Sequence, residues 1–424
     1  MKNFLNKIFK RTINLSYINQ DFKELNSKTP TKKIFKIINN FSSKSEIRYV
    51  GGCVRKIINK EKVDDIDLAT NLNPQEVLEA FKNTDIKFFK TGIDHGTITA
   101  IIDDYKFEIT SLREDIKTDG RHAEVKFSSD WKKDALRRDF TFNSIYADLE
   151  GNLFDPFDGK EDLKKGLVKF VGTPEKRIRE DYLRILRYLR FYLNYSKFEH
   201  NPEIIKVIKK NLSGISNLSK ERLLDELKKY IKSNILTKLS NDKSSLELFE
   251  FIFPQLKNIK FFSKPNLFAK IKLKESDFIF LLSILIIDGT DNADYFMYKF
   301  NLSKKDQKRL KVINNFFSEK ISIKSFSKNN LNKLFYFHGK QAVMDVLGYK
   351  LFISKNPEKD LLDKLETFKS KDLPIMPVQA NELMEKYNIP AGKTLGNILK
   401  MLEEEWVKND FELSETIINK IIKR

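Results

Sequence analysis

The chain contains 424 residues, of which 41% are hydrophobic and 12% aromatic, so wholesale disorder is excluded and two to four domains are expected. Lys and Arg outnumber Asp and Glu by 78 to 59, which gives a formal charge of +19. This surplus favours a polyanionic partner, nucleic acid before membrane, although a compositional bias that enriches Lys everywhere would produce the same charge.

The chain begins with the basic, amphipathic segment 1–15, and residues 1–32 are predicted to form a frayed or helical N-terminal arm. The arm has no long apolar core and no small-residue cleavage site, which argues against a secretory signal, whereas a transit peptide stays an alternative. Cys53 is the only cysteine, so an intrachain disulfide and a paired-cysteine zinc site are excluded, and a cytoplasmic location is predicted. The longest apolar run, Phe278–Ile287, is far shorter than the ~20 residues of a membrane span and predicts a buried helix.

Residues 33–172 predict an α+β head domain, in which short β-like runs alternate with turns and helices. One helix is predicted at Pro74–Lys82, with Asn73 as its N-cap and Pro74 at its first position. The predicted strands are rich in Ile, Val, Phe and Thr. They are Ile47–Val50, Ile66–Ala69, Gly96–Ile102, Phe107–Ser111 and Leu167–Val171.

From residue 173 onward the apolar spacing of three or four residues predicts helices almost throughout. We divide this part into a neck (173–235), a body (236–372) and an RNA-binding tail (373–424). The prolines of Leu373–Pro377 predict a linker, followed by two more helices. The predicted fold is therefore α+β: a head with a small mixed sheet and flanking helices, then an all-α neck, body and tail.

A strand, two glycines and a helix are predicted at residues 49–55. Gly51 and Gly52 would let the backbone approach a phosphate closely, because the first free N–H groups of a helix attract anions. Arg55 would lie in the first turn, where its guanidinium suits a triphosphate oxygen. The alternative is an ordinary strand–turn–helix connection in which Arg55 is solvated.

Two aspartates flank Ile66 in the next predicted strand. Asp65 and Asp67 project to the same side, because strand residues two apart share a face, and Mg²⁺ would neutralise their repulsion. Glu108, on a second β-like run, would add a third carboxylate, and its alternative is an ion pair with a nearby Lys or Arg. Three such acids favour two-metal nucleotidyl transfer, with Asp65 and Asp67 as metal ligands.

Further along the chain, a continuous helix is predicted over 177–194. Asp181, Arg184, Arg187 and Arg190 recur there every three residues and would form a slanting polar stripe. An Asp181–Arg184 pair would match the amine and the adjacent ring nitrogen that both C and A offer, and would reject U and G. The alternative is a simple i,i+3 salt bridge on an amphipathic helix.

These motifs occur in an order that resembles one known family. The run Gly51-Gly52-Cys53-Val54-Arg55 followed by Asp65-Ile66-Asp67 is similar to the head of the DNA polymerase β nucleotidyltransferase superfamily, and within it to class II CCA-adding enzymes and bacterial poly(A) polymerases. Five further segments carry the resemblance, which covers roughly residues 47 to 191. They are Thr91–Thr97, Glu108–Arg113, Asp119–Ala123, Arg137–Ser144 and Glu180–Phe191.

The resemblance implies an enzyme that adds CTP- and ATP-derived nucleotides to the 3′ end of tRNA with Mg²⁺. It further implies that Arg138 touches the nucleotide, that Asn143 holds ribose or metal-bound phosphate, and that Arg187 and Arg190 support base or phosphate. Without it, Arg137, Arg138 and Asp139 would be interpreted as a surface ion-pair cluster. The family usually has an acid directly after the GGxVR motif, and this chain has Lys56.

Three alternatives to CCA addition remain at this stage. The same scaffold serves poly(A) polymerases, which use ATP alone and accept almost any RNA 3′ end. A partial-CCA enzyme would add only C or only A. A non-catalytic RNA-binding protein on this scaffold is disfavoured because Asp65, Asp67 and Arg138 are all present. Neither membrane association nor an oligomeric state is predicted.

Overall fold

The computed structural model describes residues 17–90, 92–118, 123–318 and 323–423. It divides the chain into two units, Met1–Leu223 and Leu224–Arg424, which are described separately below. Thr91 of the family-like motifs, residues 119–122 of another, and residues 1–16 of the predicted arm lie outside the described residues.

The first unit contains a mixed sheet of seven strands within its described part, in the order β3-β4-β5-β2-β1-β8-β9. Neighbouring strands run antiparallel except β2 and β5, which are parallel. Strands β6 and β7 form a separate hairpin. The strands are β1 (Ile47–Val50), β2 (Ile66–Thr70), β3 (Lys87–Phe89), β4 (Thr97–Ile102), β5 (Tyr105–Ser111), β6 (Arg113–Thr118), β7 (Ala123–Phe127), β8 (Tyr146–Ala147) and β9 (Leu153–Phe154).

Helices flank this sheet, and the described residues after β9 form helices and no further sheet, so the predicted α+β class with a small mixed sheet is confirmed. The helices that begin in the first unit are α1 (17–28), α2 (Thr31–Asn39), α3 (Gly52–Ile58), α4 (Pro74–Phe81), α5 (Trp131–Leu136), α6 (Gly159–Lys165), α7 (Pro174–Glu180), α8 (Leu183–Tyr195), α9 (Pro202–Asn211) and α10 (Lys220–Lys232).

The helix predicted at Pro74–Lys82 is confirmed, and its first turn explains why it starts there. The Asn73 side chain accepts a hydrogen bond from the Glu76 backbone N–H at 3.0 Å. The Glu76 side chain in turn accepts one from the Asn73 backbone N–H at 2.8 Å. This reciprocal capping box and Pro74 at the first helical position satisfy or remove backbone donors that would otherwise be unpaired.

Four of the five predicted strands are present, and the prediction of a strand at Leu167–Val171 is wrong. Phe170 makes only an isolated bridge to Phe140, and the two rings pack with centroids 4.8 Å apart. Phe170 and Val171 are buried whereas Leu167 is exposed, and Phe170 is buried by aromatic packing rather than by strand neighbours. Both situations give a similar hydrophobic pattern. The short strands β3, β8 and β9 and the β6–β7 hairpin are not predicted by the sequence pattern.

The continuous helix predicted over 177–194 is also wrong, because the chain forms two helices, α7 and α8, on either side of Asp181. The backbone of Asp181 is extended, with φ −155° and ψ 104°. Its side chain accepts the backbone N–H of Leu183 at 3.1 Å, a local bond that competes with helix continuation. Asp181 therefore does not share a helical stripe with Arg184, Arg187 and Arg190.

The described part of the second unit is entirely helical, as predicted. Its helices are α11 (Leu236–Leu239), α12 (Lys243–Ile252), α13 (Leu267–Glu275), α14 (Phe278–Ile286), α15 (Asn292–Lys299), α16 (Lys304–Ser318), α17 (Lys328–His338), α18 (Lys340–Ile353), α19 (Lys359–Ser370), α20 (Ala380–Tyr387), α21 (Lys393–Lys408) and α22 (Glu415–Ile422). The proline-rich segment before α20 is irregular, as expected, but three helices follow it rather than the two predicted.

The predicted buried helix at Phe278–Ile287 is confirmed as α14, in which every residue from Ile279 to Ile286 is buried. Within the part of the chain that the structure describes, no helix is long and apolar enough to cross a membrane.

Candidate active site

The glycine turn brings together residues that are far apart in the sequence. Strand β1 ends at Val50, and Gly51 adopts φ +65°, a backbone conformation that side chains disfavour, before α3 begins at Gly52. A Cβ atom on Gly51 would lie 3.6 Å from Arg138 Nη1, and one on Gly52 would lie 3.8 Å from Asp67 Oδ2. The turn therefore lies between a guanidinium group and a carboxylate, both predicted from the sequence.

The three predicted carboxylates are placed by two neighbouring parallel strands. Asp67 on β2 is in register with Glu108 on β5, and Asp65 precedes Asp67 by two residues. Burial raises the pKa of Asp67, the charges of Glu108 and Asp65 raise it further, and Arg138 and Arg55 oppose this rise. Burial, and to a lesser extent repulsion from the other two acids, disfavours the charged form of Asp67, and a bound cation would favour that form.

Glu108 also forms an ion pair with a nearby lysine, which was the alternative to its role as a third carboxylate of the metal site. Its Oε1 atom accepts a hydrogen bond from Lys106 Nζ at 2.7 Å. This hydrogen bond and the charge of Glu108 raise the pKa of Lys106, and Asp65 and Asp67 contribute less. Both side chains of the pair are about half exposed, so exchange of Lys106 for another cation costs little.

The donor set fits a magnesium ion that keeps part of its shell outside the protein. Among the described residues, no three His, Cys, Asp or Glu side chains meet closely enough to hold a metal by themselves. Mg²⁺ is commonly held by one or two carboxylates while substrate phosphates and water complete its octahedron. Asp65 and Asp67 meet that lesser requirement.

Lys56, the residue directly after the GGxVR motif, pairs with the segment that leads into β2. Its Nζ atom lies 3.2 Å from Asp64 Oδ2, and the two side chains are 24% and 39% exposed. Asp64 is the residue directly before Asp65. The basic residue thus connects α3 to the loop that carries the first predicted metal ligand.

Arg138 belongs to a buried cluster, so the alternative of a surface ion-pair cluster is wrong. Asp134 on α5 is almost fully buried and accepts hydrogen bonds from Arg138 at 3.1 and 3.2 Å, from Arg137 at 2.7 Å and from the Tyr146 hydroxyl at 2.6 Å. Burial alone would raise the pKa of Asp134, but the two guanidinium groups hold it well below its usual range. Asp134 therefore fixes Arg138 beside the glycine turn.

A chain of hydrogen bonds links α3 to α8 through the segment after α5. The Arg55 guanidinium donates to the side-chain oxygen of Asn143, whose amide donates to Asp139 Oδ1 at 2.9 Å. Arg187 Nε donates to Asp139 Oδ2 at 2.6 Å. Burial opposes the charge of Asp139, yet Arg187, Asn143 and Arg184 lower its pKa to about 2. Three of the predicted nucleotide-binding residues thus lie in one network.

The ring of Phe191 lies within reach of three of the predicted arginines. The guanidinium carbons of Arg190, Arg55 and Arg187 lie 4.3, 4.8 and 5.5 Å from its centroid. Such cation–π contacts keep the guanidinium planes together without neutralising their charge. The three guanidinium groups therefore lie together between α3 and α8.

Asp181 and Arg184 are held by separate partners. Asp181 Oδ2 accepts a hydrogen bond from Arg222 Nη2 at 2.8 Å. Arg184 donates to Glu180 Oε2 at 2.8 Å and to the backbone oxygens of Arg177 and Arg137 at 2.9 and 3.0 Å. The alternative of an i,i+3 salt bridge between Asp181 and Arg184 is therefore wrong, because each side chain is bonded to a different group.

Several residues of this region escape the sequence analysis. Asp134 had a detectable signal, because it lies three and four residues before Arg137 and Arg138 on a helix. Tyr195, which accepts from Arg55 Nε at 3.2 Å and donates to Glu61 at 3.2 Å, had none. Arg222 and Tyr146 also reach the site from distant positions, and only the fold reveals them.

Comparisons with known proteins find similar families and relatives. A family model described as the poly A polymerase head domain matches residues 47–169, and one described as a probable RNA and SrmB-binding site of polymerase A matches residues 197–260. The human protein named CCA tRNA nucleotidyltransferase 1, mitochondrial, is 34% identical over 396 residues, which span 89% of this chain and 87% of the human protein.

Two further matches extend over most of the chain. The CCA-adding enzyme of Lactobacillus johnsonii is 29% identical over 399 residues, spanning 89% of this chain and 93% of that protein. The crystal structure of the Bacillus stearothermophilus CCA-adding enzyme in complex with CTP matches with a TM-score of 0.69 and 22% identity, over 92% of this chain and 96% of the other. At that identity the structural similarity shows the fold.

Proposed function

This chain belongs to the family of the CCA tRNA nucleotidyltransferases, and from that membership we propose that it adds C, C and A to the 3′ end of tRNA. CTP and ATP are the substrates, and pyrophosphate is released. The observation that carries the proposal is the glycine turn, which lies between Asp67 on one side and Arg138 on the other. A triphosphate seated on this turn would meet the positive charge of Arg138 on one side and, on the other, a cation held by Asp67.

Enzymes of the nucleotidyltransferase superfamily are generally metal-dependent, and we assign Mg²⁺ to Asp65 and Asp67. When bound, Mg²⁺ would supply charge neutralisation at the triphosphate and a lower pKa for the attacking 3′ hydroxyl. Glu108 provides the third carboxylate of the site. Lys106 must leave Glu108 for that role, and its exposed position makes the exchange inexpensive.

The arginines and Asn143 are proposed to orient the nucleotide. Arg138 Nε and Nη2 are bonded to Asp134 and Tyr146, so that Nη1 lies toward Gly51 and the triphosphate position. Gly51, Gly52 and Arg55 line the same position. Asn143, fixed by Asp139 and Arg55, is assigned to the ribose, a neutral polar group that a carboxamide suits.

Selection of the base is assigned to Asp181 and Arg184, with Arg187 and Arg190 in support. An aspartate accepts from the exocyclic amine and an arginine donates to the adjacent ring nitrogen, a combination that C and A share. Binding of CTP or ATP would replace the contacts of Asp181 with Arg222 and of Arg184 with Glu180. Hydrogen bonds from the base would thus replace the existing contacts of Asp181 and Arg184, which are both paired before the nucleotide binds.

A second candidate function is addition of a poly(A) tail. It is favoured by the match of residues 47–169 to a poly A polymerase head domain. The two functions share every residue assigned above and differ in the nucleotides used and in whether addition stops.

A primer-extension assay separates the two candidates. The purified protein with Mg²⁺ is given a tRNA that lacks its 3′ CCA, with each labelled nucleoside triphosphate alone and then with CTP and ATP together. Addition of two C and one A, followed by arrest, is the expected result. A long A tail on tRNA and on unrelated RNA would assign the protein to the poly(A) polymerases, and no incorporation would contradict both.

We also propose a cytoplasmic location, supported by the absence of any disulfide: Cys53 is free and buried. The human relative carries a mitochondrial name, which concerns that protein. Fractionation of cells that express the full chain with an epitope tag would decide between the cytoplasm and an organelle.

A further inference from the structure

A groove in the second unit is lined by residues that none of the assignments above uses. It runs between α16 and α17, and we call it the α16–α17 groove. Its larger part has a volume of about 530 Å³, and an adjoining part of about 330 Å³ shares Phe316, Leu334 and His338 with it. The groove lies outside residues 47–169 and 197–260, the two segments matched by family models.

Positive charge is concentrated along this groove. Lys304, Lys308 and Lys311 recur at helical spacing on one face of α16 and line the larger part, and Lys333 on α17 lines the adjoining part. All four side chains are exposed, none has an ion-pair partner among the described residues, and no carboxylate lines either part of the groove. Because no acidic side chain lines the groove, the charge of these lysines is available to an anionic ligand.

Aromatic rings lie beside these lysines. Phe337 is a large apolar side chain that is 53% exposed, and its neighbour His338 is exposed as well. Phe316 forms part of the wall of both parts of the groove, and the carboxamides of Asn315 and Asn330 lie at its rim. Rings offer a stacking surface, and carboxamides offer both donors and acceptors to base edges.

We propose that the α16–α17 groove binds a single-stranded segment of RNA, with its phosphates on the four lysines and a base stacked on Phe337. Lysines alone would suit any polyanion, but a duplex keeps the faces of its bases inside the stack, so only an unpaired base reaches an exposed ring. This inference rests on the proposed function, since that function makes RNA the acceptor. It adds a second RNA contact, distinct from the site of nucleotide transfer.

The test measures binding of a fluorescent, unstructured oligo(U) RNA and of a hairpin duplex RNA to the full chain by fluorescence anisotropy. We expect Phe337→Ala to weaken oligo(U) binding on the order of fivefold or more, because base–aromatic stacking is lost, and to leave hairpin binding unchanged. We expect the triple variant K304Q/K308Q/K311Q to reduce the slope of log affinity against log salt by about 2 for the single strand.

The matched control is the triple variant K257Q/K270Q/K274Q, which removes three exposed lysines of the same unit from outside the groove. In this control, the slope of log affinity against log salt for oligo(U) should change by no more than about one third of the change seen for the groove variant. An unchanged oligo(U) affinity in Phe337→Ala, or an equal loss for single strand and hairpin, would overturn the proposal. The latter result would assign the groove to duplex backbone.

Circular dichroism of each variant establishes that it is folded, and Phe337→Tyr supplies a second, conservative variant that should retain binding. The binding assays contain no nucleoside triphosphate, and they are repeated with Asp67→Ala, which should bind oligo(U) as the wild type does. A protein that fails the primer-extension assay but shows the Phe337 effect would refute the proposed function alone. The reverse outcome would refute the groove alone.

Discussion

Asp181 accepts a hydrogen bond from Arg222 at 2.8 Å, and Arg184, three residues further on, is bonded to Glu180 instead. The extended backbone at Asp181 separates α7 from α8 and directs its carboxylate toward α10, where Arg222 lies. An aspartate held in this way is oriented before any nucleotide binds. A base that binds there must take the place of Arg222 on the Asp181 carboxylate, so the loss of this hydrogen bond opposes binding.

Replacing Asp181 with Ala should weaken discrimination against UTP and GTP. The site would lose the acceptor that distinguishes an exocyclic amine from a carbonyl, so we expect the ratio of kcat/KM for CTP over UTP to fall by about tenfold or more. The matched control is Glu175→Ala, which removes an exposed acid on α7 that pairs with Arg179 and Lys210. Equal selectivity in the Asp181 and Glu175 variants would make the Asp181 contact purely structural.

Replacing Asp67 or Asp65 with Ala should abolish nucleotide incorporation and leave RNA binding nearly intact. The carboxylates are assigned to the metal, and loss of transition-state charge neutralisation costs several kcal/mol, which is a rate loss of about 10³-fold or more. Incorporation is measured at saturating Mg²⁺ and RNA binding by filter retention. Glu79→Ala, an exposed acid on α4, serves as the control. Normal turnover in the Asp67 variant would refute the metal assignment.

The Lys56–Asp64 pair should contribute to catalysis by holding the loop before Asp65. Reversing one charge, with Lys56→Glu or Asp64→Lys, should raise the Mg²⁺ concentration needed for half-maximal activity by several fold. The double reversal should restore it, with a coupling energy of about 0.5–1 kcal/mol for a partly exposed pair. If the double variant is as impaired as the two single variants combined, the residues act independently.

Acid should remove the stability that Asp139 contributes, within a defined range of pH. Its folded pKa is lowered to about 2 by Arg187 and other partners, whereas an unperturbed aspartate titrates near 3.8. The unfolded chain therefore binds the proton first, so the contribution is complete above about pH 4, amounts to about 2 kcal/mol there, and is lost as the pH falls to about 2.

Urea unfolding between pH 5 and pH 2.5 measures this contribution. The free energy of unfolding should fall less steeply with acid in Asp139→Asn than in the wild type, because the variant has no carboxyl group to protonate at this position. Asp225→Asn, in which an exposed acid of α10 is replaced, should follow the wild type. If the free energy of unfolding depends on pH equally in the wild type and in Asp139→Asn, the Asp139–Arg187 pair does not contribute this stability.

The sequence alone determined those features that depend on local patterns. The alternation expected of a strand predicted Asp65 and Asp67 on one side, the glycines predicted the turn, and Asn73 and Pro74 predicted the start of α4. The ordered motifs between residues 47 and 191 were enough to indicate the family, because each motif requires specific residue types at fixed spacing. The family, the fold class and the type of enzyme follow from these motifs.

Only the tertiary structure decided which side chains contact one another. The helix break at Asp181 could not be predicted, because the apolar spacing on both sides continues with the same period. The partners of the predicted residues lie far away along the chain, as with Arg222 for Asp181 and Tyr195 for Arg55. Such contacts depend on how buried elements pack, and no local periodicity encodes them.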